Sequence, residues 1–288
     1  MDAPRLGIGI ISAGKVGAVL GAALAAAGHR ITGIHAVSEA SRDRAEALLP
    51  QAEILNPDEI LRRSELVLFA VPDDVLGELV AGLAAAGHFV TGQLVVHTAG
   101  RYGTGILDPV RHAGAFPLAI HPAMTFTGMS LDLERLTDCV FAVTADDMML
   151  PVAQALVVEM RGEPVTIAEA DRTSYHAALA HGANHLNTIT AQSMDLLHRI
   201  GVADPGATLR ALMSASLDNA LRSGASLLTG PVARGDAGTL SAHLESLEDD
   251  PQETADSYRV LSRATALRAR TQGLISAGTL EELLSILE

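Results

Sequence analysis

One stretch of the sequence decides the fold: LGIGIISAGKVG, residues 6–17. Its first half, Leu6–Ile11, is an apolar run rich in β-branched residues and is predicted to be a buried strand. A short glycine loop follows, and the chain is then rich in alanine as far as Ala27, which predicts a helix. Gly28 is suited to end that helix. The order strand, loop, helix predicts the first part of a βαβ unit.

The glycine loop has the composition of a dinucleotide-binding loop. Gly14 would let the backbone approach a pyrophosphate, and Gly17 would let the helix pack closely on the sheet. Ser12 stands where such loops usually have their first glycine, so a tight turn without a ligand remains the alternative. The N–H groups at the start of the helix would face the phosphates. The candidate cofactor-binding residues are Ser12, Ala13, Gly14, Lys15, Val16 and Gly17.

The end of the second predicted strand, Ile31–Val37, bears on the choice of cofactor. A carboxylate there would bind the ribose 2′-OH of NAD. No carboxylate ends this strand, whereas Ser38 and Arg42 follow it and could hold a 2′-phosphate. We therefore expect NADP rather than NAD. Glu39 leaves NAD open, and Arg42 could instead belong to a solvated helix face.

The remainder of the first half alternates between strands and helix-length segments. Further strands are predicted at Leu66–Val71, Leu94–His97, Pro117–Ile120 and Val140–Thr144. This alternation predicts a parallel sheet built from βαβ units. Ligands of such sheets lie at the carboxyl ends of the strands.

One of these strand ends is predicted to contact the cofactor. Val71 and Pro72 end an apolar strand, and Pro72 could line the nicotinamide ribose side. Asp73 and Asp74 follow directly and are interpreted as caps of the next helix.

From about Leu150 the sequence has helical periodicity almost throughout. The longest helix is predicted over Asp171–Ile200, and a second begins at Asp204-Pro205. The last helix is predicted to be capped by Thr279. These patterns divide the chain into an NADP-binding domain, residues 1–163, and a helical substrate and dimerisation domain, residues 164–288.

Composition limits the class of protein. The 288 residues are 48% hydrophobic and 19% charged, which indicates a folded globular chain. The net charge of −14 without a basic cluster argues against a nucleic-acid partner. Cys139 is the only cysteine, so no internal disulfide can form. With no apolar run long enough to span a membrane and no targeting segment, we expect a cytoplasmic protein without a membrane partner.

Several side chains could carry acid–base chemistry. His97 and His121 each follow an apolar strand at the face where the reactive end of a cofactor would lie, with Thr98 beside His97 as a candidate substrate-binding residue. A reduction needs a proton donor near the reacting atom. His121 is the stronger candidate, and a structural histidine bonded to the backbone is the alternative.

The long predicted helix supplies a second group. At about 100° per residue, His176 and Asn184 lie on one face of it, which suits a substrate pocket. His181 and His185 have the i, i+4 spacing of two metal ligands, but no accompanying glutamate or third ligand is evident. We therefore expect no metal.

A loop rich in glycine and proline, residues 229–238, interrupts the helical half. Arg234 could bind a substrate carboxylate with both guanidinium branches, with Thr229 beside it. The alternative is a loop that only joins two helices.

Taken together, the sequence resembles a family of Rossmann-like oxidoreductases whose C-terminal half is a domain of unknown function, family 2520. The resemblance covers nearly the whole chain. It rests on SAGKVG (12–17), FAVPDD (69–74), HTAG (97–100), His-Pro (121–122), Tyr-His (175–176) with Asn184, and GPVARGD (230–236).

The resemblance implies an α/β fold related to pyrroline-5-carboxylate reductase, ketopantoate reductase and prephenate dehydrogenase. A Rossmann parallel sheet would precede an all-α domain like the C-terminal domain of 6-phosphogluconate dehydrogenase, which often dimerises. Ketopantoate reductases use a lysine on the first long helix of the second domain. This chain has no lysine there, since Lys15 is its only one. His176 is the nearest substitute for that lysine. The similarity of His121-Pro122 to the catalytic histidine segment of prephenate dehydrogenases makes His121 a stronger acid–base candidate.

Three hypotheses about function follow. The first is an NADPH-dependent reductase of a small 2-oxo acid, possibly similar to ketopantoate, that acts as a homodimer. In it, His121 or His176 supplies the proton, Asn184 orients the carbonyl, and Arg234 holds a carboxylate. The second is an imine reductase of the pyrroline-5-carboxylate type. The third is a dinucleotide-binding regulatory or scaffold protein without turnover.

Overall fold

The computed structural model describes residues 5–288, so the first four residues of the predicted NADP-binding domain lie outside it. The chain forms two compact units, one ending at His181 and the other comprising Gly182–Glu288. The first unit is an α/β structure and the second is helical. The domain division expected between residues 163 and 164 falls inside a strand, Glu163–Thr166.

A seven-stranded sheet organises the first unit, in the order β2-β1-β3-β4-β5-β6-β7. The first five strands run parallel to their neighbours, β6 is antiparallel to β5, and β7 is parallel to β6. The strands are β1 (Gly7–Ile11), β2 (Arg30–Ile34), β3 (Leu66–Phe69), β4 (Leu94–His97), β5 (Phe116–Pro122), β6 (Val140–Thr144) and β7 (Glu163–Thr166).

The sheet differs from the sequence prediction at its β5–β7 edge. The β5–β6 connection contains only a five-residue helix, Leu131–Arg135. Such a helix rises about 7.5 Å, which is less than the length of β5, so it does not return the chain to the far end of the sheet as a parallel crossover would. β7 went unpredicted because Glu163–Thr166 is largely exposed and has neither an apolar run nor a clear alternation.

Helices cover both faces of the sheet. One core packs Leu20 and Val157 against it, and the other packs Leu76 and Val110 against the opposite face. The helices of this unit are α1 (Lys15–Ala26), α2 (Glu39–Leu48), α3 (Pro57–Arg63), α4 (Asp73–Ala85), α5 (Asp108–Arg111), α6 (Leu131–Arg135), α7 (Leu150–Glu159) and α8 (Arg172–Leu179).

The second unit has a separate core, formed by residues such as Leu240, Ala266 and Leu283. A π-helical turn, Ala180–Asn184, follows α8, so the long helix predicted over Asp171–Ile200 is interrupted. The helices are α9 (His185–Arg199), α10 (Pro205–Ser223), α11 (Pro231–Arg234), α12 (Ala237–Ser246), α13 (Gln252–Thr271) and α14 (Ala277–Ile286). Among residues 5–288, no helix combines the length and apolar character that a membrane crossing requires.

Two of the predicted helix caps were wrong. The N-cap of α4 is Pro72, and Asp73 and Asp74 lie in the first turn, where their charge favours the positive end of the helix dipole. The N-cap of α14 is Ser276, whose hydroxyl accepts a hydrogen bond from the backbone N–H of Thr279 at 3.1 Å. In both cases the prediction chose a residue one to three positions too late.

Candidate functional site

The glycine loop between β1 and α1 has the conformation of a phosphate-binding turn. Ser12 has φ = +85°, which is the left-handed region that glycine normally occupies. The loop thus keeps the backbone shape of a glycine at this position with a serine in place. Arg44, which the sequence analysis did not select, braces the loop by donating a hydrogen bond from Nη1 to the carbonyl oxygen of Ala13 at 2.8 Å.

The two glycines of the loop have different roles. A Cβ at Gly17 would lie 2.1 Å from the carbonyl oxygen of Ser12, so only glycine permits this approach of α1 to β1. A Cβ at Gly14 would meet nothing closer than the Ser12 hydroxyl at 3.4 Å. Gly14 is the N-cap of α1 and supplies no side-chain hydrogen bond to the first turn. The first N–H groups of α1 are therefore available to an anion.

Two cations lie beside this helix start. The buried Gly128 has φ = +84°, and a Cβ there would lie 2.8 Å from Cδ of Arg44 and 3.0 Å from Cγ of Lys15, so both side chains pack on it. Within residues 5–288, neither cation has a carboxylate oxygen within 4.0 Å. In a chain of net charge −14, two adjacent unpaired cations form a site suited to phosphate.

A buried carboxylate supports this arrangement. Asp132 is fully buried and accepts hydrogen bonds from the backbone N–H groups of Thr127 at 2.7 Å and Gly128 at 2.8 Å. Burial acts to raise the pKa of Asp132, but these hydrogen bonds together outweigh it and the pKa lies below its ordinary value. The ionised carboxylate thus fixes the turn on which Lys15 and Arg44 rest.

The residues predicted to select NADP lie at the start of α2. Ser38 is its N-cap and accepts a hydrogen bond from the N–H of Ser41 at 3.2 Å. Arg42 is exposed, and Glu39 lies in the first turn of α2, after the end of β2. Val71 and Pro72 lie at the carboxyl end of β3, with Val71 half-buried and Pro72 exposed. The roles of Ser38, Arg42, Val71 and Pro72 remain predictions.

His97, at the end of β4, shapes the loop that follows it. Its Nδ1 accepts a hydrogen bond from the N–H of Ala99 at 3.1 Å, so Nε2 carries the proton and donates to the carbonyl oxygen of Gly103 at 2.8 Å. Burial lowers the pKa of His97 to about 4, so the ring is neutral at pH 7. His97 is therefore a structural histidine. Thr98 is half-buried beside it and donates its backbone N–H to Phe69 at 3.2 Å.

His121 lies in β5 and has a hydrogen-bond partner that the sequence did not reveal. Its Nδ1 is 2.9 Å from the hydroxyl oxygen of Tyr175 on α8, and the two rings meet edge to face with centroids 5.6 Å apart. Burial, followed by the charge of Arg172, lowers the pKa of His121 to about 4. The imidazole is thus neutral at pH 7 and can accept or relay a proton.

His176 joins this group from the same helix. Its ring centroid is 6.2 Å from that of His121, again edge to face. Gly100, in the loop shaped by His97, lies against both rings: a Cβ there would be 2.6 Å from Cδ2 of His176 and 2.9 Å from Nε2 of His121. The predicted acid–base candidates His121 and His176 are therefore brought together.

Arg172 is buried next to this cluster and was missed by the sequence analysis. It is 1% exposed and donates to Thr144 Oγ1 at 2.7 Å and to the carbonyl oxygens of Ala119 at 2.9 Å and Ala142 at 3.1 Å. These bonds join β5 to β6 beside His121, which pairs with Ala142 in the sheet. Burial lowers the pKa of Arg172 to about 10, so it stays charged at pH 7.

The remaining predicted residues belong to the second unit. Asn184 ends the π-helical turn and is exposed, as are Thr229 and Arg234. Most of the GPVARGD segment has a structural role. Gly230 and Gly235 have positive φ at the two ends of α11, and Asp236 caps α12 by accepting the N–H of Thr239 at 3.0 Å. The substrate-binding roles of Asn184, Thr229 and Arg234 remain predictions.

Comparison with known protein families accounts for most of the chain. Residues 1–122 match the Rossmann-like domain, and residues 139–265 match a domain of unknown function, DUF2520. The predicted resemblance is confirmed by these two matches. The sequence matches none of the curated proteins.

Solved structures of low sequence identity share the fold. A Bacteroides fragilis protein provisionally named an NADP oxidoreductase is 23% identical, with a TM-score of 0.76 over 91% of this chain and 98% of its own. An imine reductase from Pseudomonas sp. is 17% identical, with a TM-score of 0.65 over 98% and 100%. Plasmodium falciparum pyrroline carboxylate reductase, solved with NADP bound, is 13% identical, with a TM-score of 0.58 over 94% and 100%.

Proposed function

We propose that this chain, which joins a Rossmann-like domain to a DUF2520 domain, is an oxidoreductase that uses a nicotinamide dinucleotide to reduce a small 2-oxo acid. One observation carries the proposal. The anion site after β1 and the histidine–tyrosine cluster at β4 and β5 both lie at the carboxyl ends of parallel strands of one sheet. That edge is where ligands bind in open α/β sheets.

The anion site suits the diphosphate of a dinucleotide. The uncapped N–H groups of α1, Lys15 and Arg44 would hold it, and Gly14 leaves room for its approach. We prefer NADP over NAD, because no carboxylate ends β2, whereas Ser38 is the N-cap of α2 and Arg42 is the fourth residue of that helix. A bound reduced nicotinamide would supply the hydride.

The cluster around Gly100 would deliver the proton. His121 and His176 converge there from β5 and α8, and a glycine between them leaves space that any side chain would fill. Proteins that share the fold include one provisionally named an NADP oxidoreductase, an imine reductase, and a reductive aminase from Aspergillus terreus. Because two of these names refer to imine chemistry, an imine is the second candidate substrate.

Two measurements on the purified protein test the proposal. The first is a titration with NADPH and, separately, NADH, followed by nucleotide fluorescence; the chain has no tryptophan to interfere. The second is NADPH consumption with a panel of 2-oxo acids that includes ketopantoate, beside pyrroline-5-carboxylate. Turnover only with the imine would favour the second candidate. Binding without turnover on the whole panel would favour a regulatory protein, and binding of neither nucleotide by folded protein would refute the proposal.

The predicted homodimer also remains a proposal. α10 has nineteen residues and no buried side chain, and its apolar residues Leu217 and Leu221, which lie four positions apart on one face, are 45% and 78% exposed. Exposed apolar residues along one helix are typical of a protein interface. We propose that a second copy of the chain covers them. Light scattering of the purified protein should give twice the mass of one chain, and the mass of a single chain would contradict the homodimer.

A further inference from the structure

The hydrogen bonds of the buried Arg172 guanidinium to β5 and β6 leave part of it unsatisfied. Its Nη1 is buried and has no hydrogen-bond partner among residues 5–288, and within that range no carboxylate oxygen lies within 4.0 Å of the side chain. An unpaired charge held away from water is strongly destabilising. Three hydrogen bonds to the β5–β6 pair offset only part of that cost.

The side chains around Arg172 form one group. Tyr175 and His176 follow it by three and four positions on α8, which places all three on one face of that helix. His97 and His121 face it from β4 and β5, and both are neutral at pH 7. Burial lowers the pKa of Arg172, and the nearby Tyr175 and the exposed Glu169 act in the opposite direction. The Glu169 carboxylate accepts a hydrogen bond from the N–H of Thr104 at 2.7 Å. Cys139 adds to the effect of burial in raising the pKa of Tyr175.

We propose that the Tyr175 hydroxyl is the proton donor of the reduction, and that Arg172 is a positioning residue whose positive charge stabilises the tyrosinate that donation leaves behind. This inference rests on the proposed function and names the acid that acts at that site.

The hydrogen bond at 2.9 Å between Tyr175 and His121 provides a partner for the tyrosinate that proton donation leaves. As hydride from the reduced nicotinamide adds to the substrate carbon, the Tyr175 O–H bond breaks and its proton passes to the carbonyl oxygen or imine nitrogen. The tyrosinate oxygen then accepts a hydrogen bond from Nδ1–H of neutral His121. A proton from solvent restores Tyr175 before the next turnover.

Tyr175 fits this role better than the histidines. A general acid must hold its proton at the working pH. His121 is neutral at pH 7, whereas burial raises the pKa of Tyr175 and keeps its hydroxyl protonated. The charge of Arg172 acts in the opposite direction, towards ionisation of Tyr175, and so favours loss of the proton when a substrate accepts it.

The first test follows ionisation and is independent of activity. The chain has three tyrosines and no tryptophan, so the ultraviolet absorbance of tyrosinate can be titrated directly. Subtracting the titration of Y175F from that of the wild type isolates Tyr175. We expect the pKa of Tyr175 to be higher in R172Q than in the wild type and to return towards the wild-type value in R172K. Equal pKa values in R172Q and the wild type would overturn the role of Arg172.

The second test measures turnover. Y175F should lower kcat about 10²-fold or more, with the NADPH dissociation constant unchanged. The matched control is Y258F, because Tyr258 forms a similar pair with His243 at 2.7 Å in the second unit. Y258F should keep the wild-type kcat.

The outcomes separate the two proposals. Wild-type kcat in Y175F would overturn the proton donor while leaving the reductase standing. Wild-type protein without turnover would refute the reductase, and the titration of Tyr175 would still report on Arg172. If R172Q does not fold, the pH profile of R172K decides. In R172K, kcat should still fall at high pH as Tyr175 ionises, and this fall should be absent from Y175F. That result supports the proposal, and an identical fall in Y175F overturns it.

Discussion

Mild acid should destabilise the first unit through His97. Burial lowers the pKa of this histidine to about 4 in the folded chain, against 6.5 for an ordinary histidine. Between these values the unfolded chain binds a proton that the folded chain does not, so stability is full above pH 6.5 and falls as the pH decreases towards 4. At about 1.36 kcal/mol per pKa unit, His97 alone should cost about 2 kcal/mol between pH 7 and pH 5.

The assay is urea unfolding at pH 7 and pH 5, followed by circular dichroism, with the transitions of the two units fitted separately. H97Q keeps a donor for the carbonyl of Gly103 but has no titrating ring. It should be less stable than the wild type at pH 7 and lose about 2 kcal/mol less on acidification. H112Q, which removes an exposed histidine of the same unit, is the control and should keep the wild-type loss. An equal acid loss in H97Q and the wild type would refute the reasoning.

Five further substitutions test the site. G17A should abolish NADPH binding, because its Cβ would lie 2.1 Å from a backbone oxygen; wild-type affinity by fluorescence titration would contradict this. S12G should stabilise the chain to urea by about 1 kcal/mol, since glycine adopts φ = +85° without strain, and a loss of stability would argue against strain there. G100A should lower kcat about 10²-fold at unchanged nucleotide affinity, because its Cβ displaces the histidine rings, and steady-state kinetics measure both. R44Q should weaken NADPH and NADH alike, whereas R42Q should weaken NADPH alone; equal effects of R42Q on both nucleotides would argue against a 2′-phosphate contact.

The glycine-loop part of the candidate site was predictable because its signals are local. A strand, a glycine loop and an alanine-rich helix follow one another within residues 6–27, and each obeys backbone rules that act over a few residues. Gly17 illustrates this, since its close approach to Ser12 is fixed within the loop itself. The same locality explains why β4 and β6 were predicted with their observed bounds.

The part of the candidate site that contains His121 and Tyr175 was predicted only in part, because its key contacts join distant segments. The hydrogen bond between His121 and Tyr175 spans 54 residues. Arg172 has the sequence appearance of a solvated helix residue, and only the β5–β6 pair turns it into a buried cation. Arg44 differs from the exposed Arg42 only by facing the glycine loop, which a sequence pattern two residues apart does not distinguish.

The composition of this chain makes Lys15 a selective site for chemical labelling. It is the only lysine, it is exposed, and it lies at the first residue of α1 beside the glycine loop. A reagent that acylates or alkylates side-chain amines therefore has one lysine target in the entire molecule. Protection of that amine by an added nucleotide would map occupancy of the loop by mass spectrometry, and a reporter dye attached there would need no engineered cysteine.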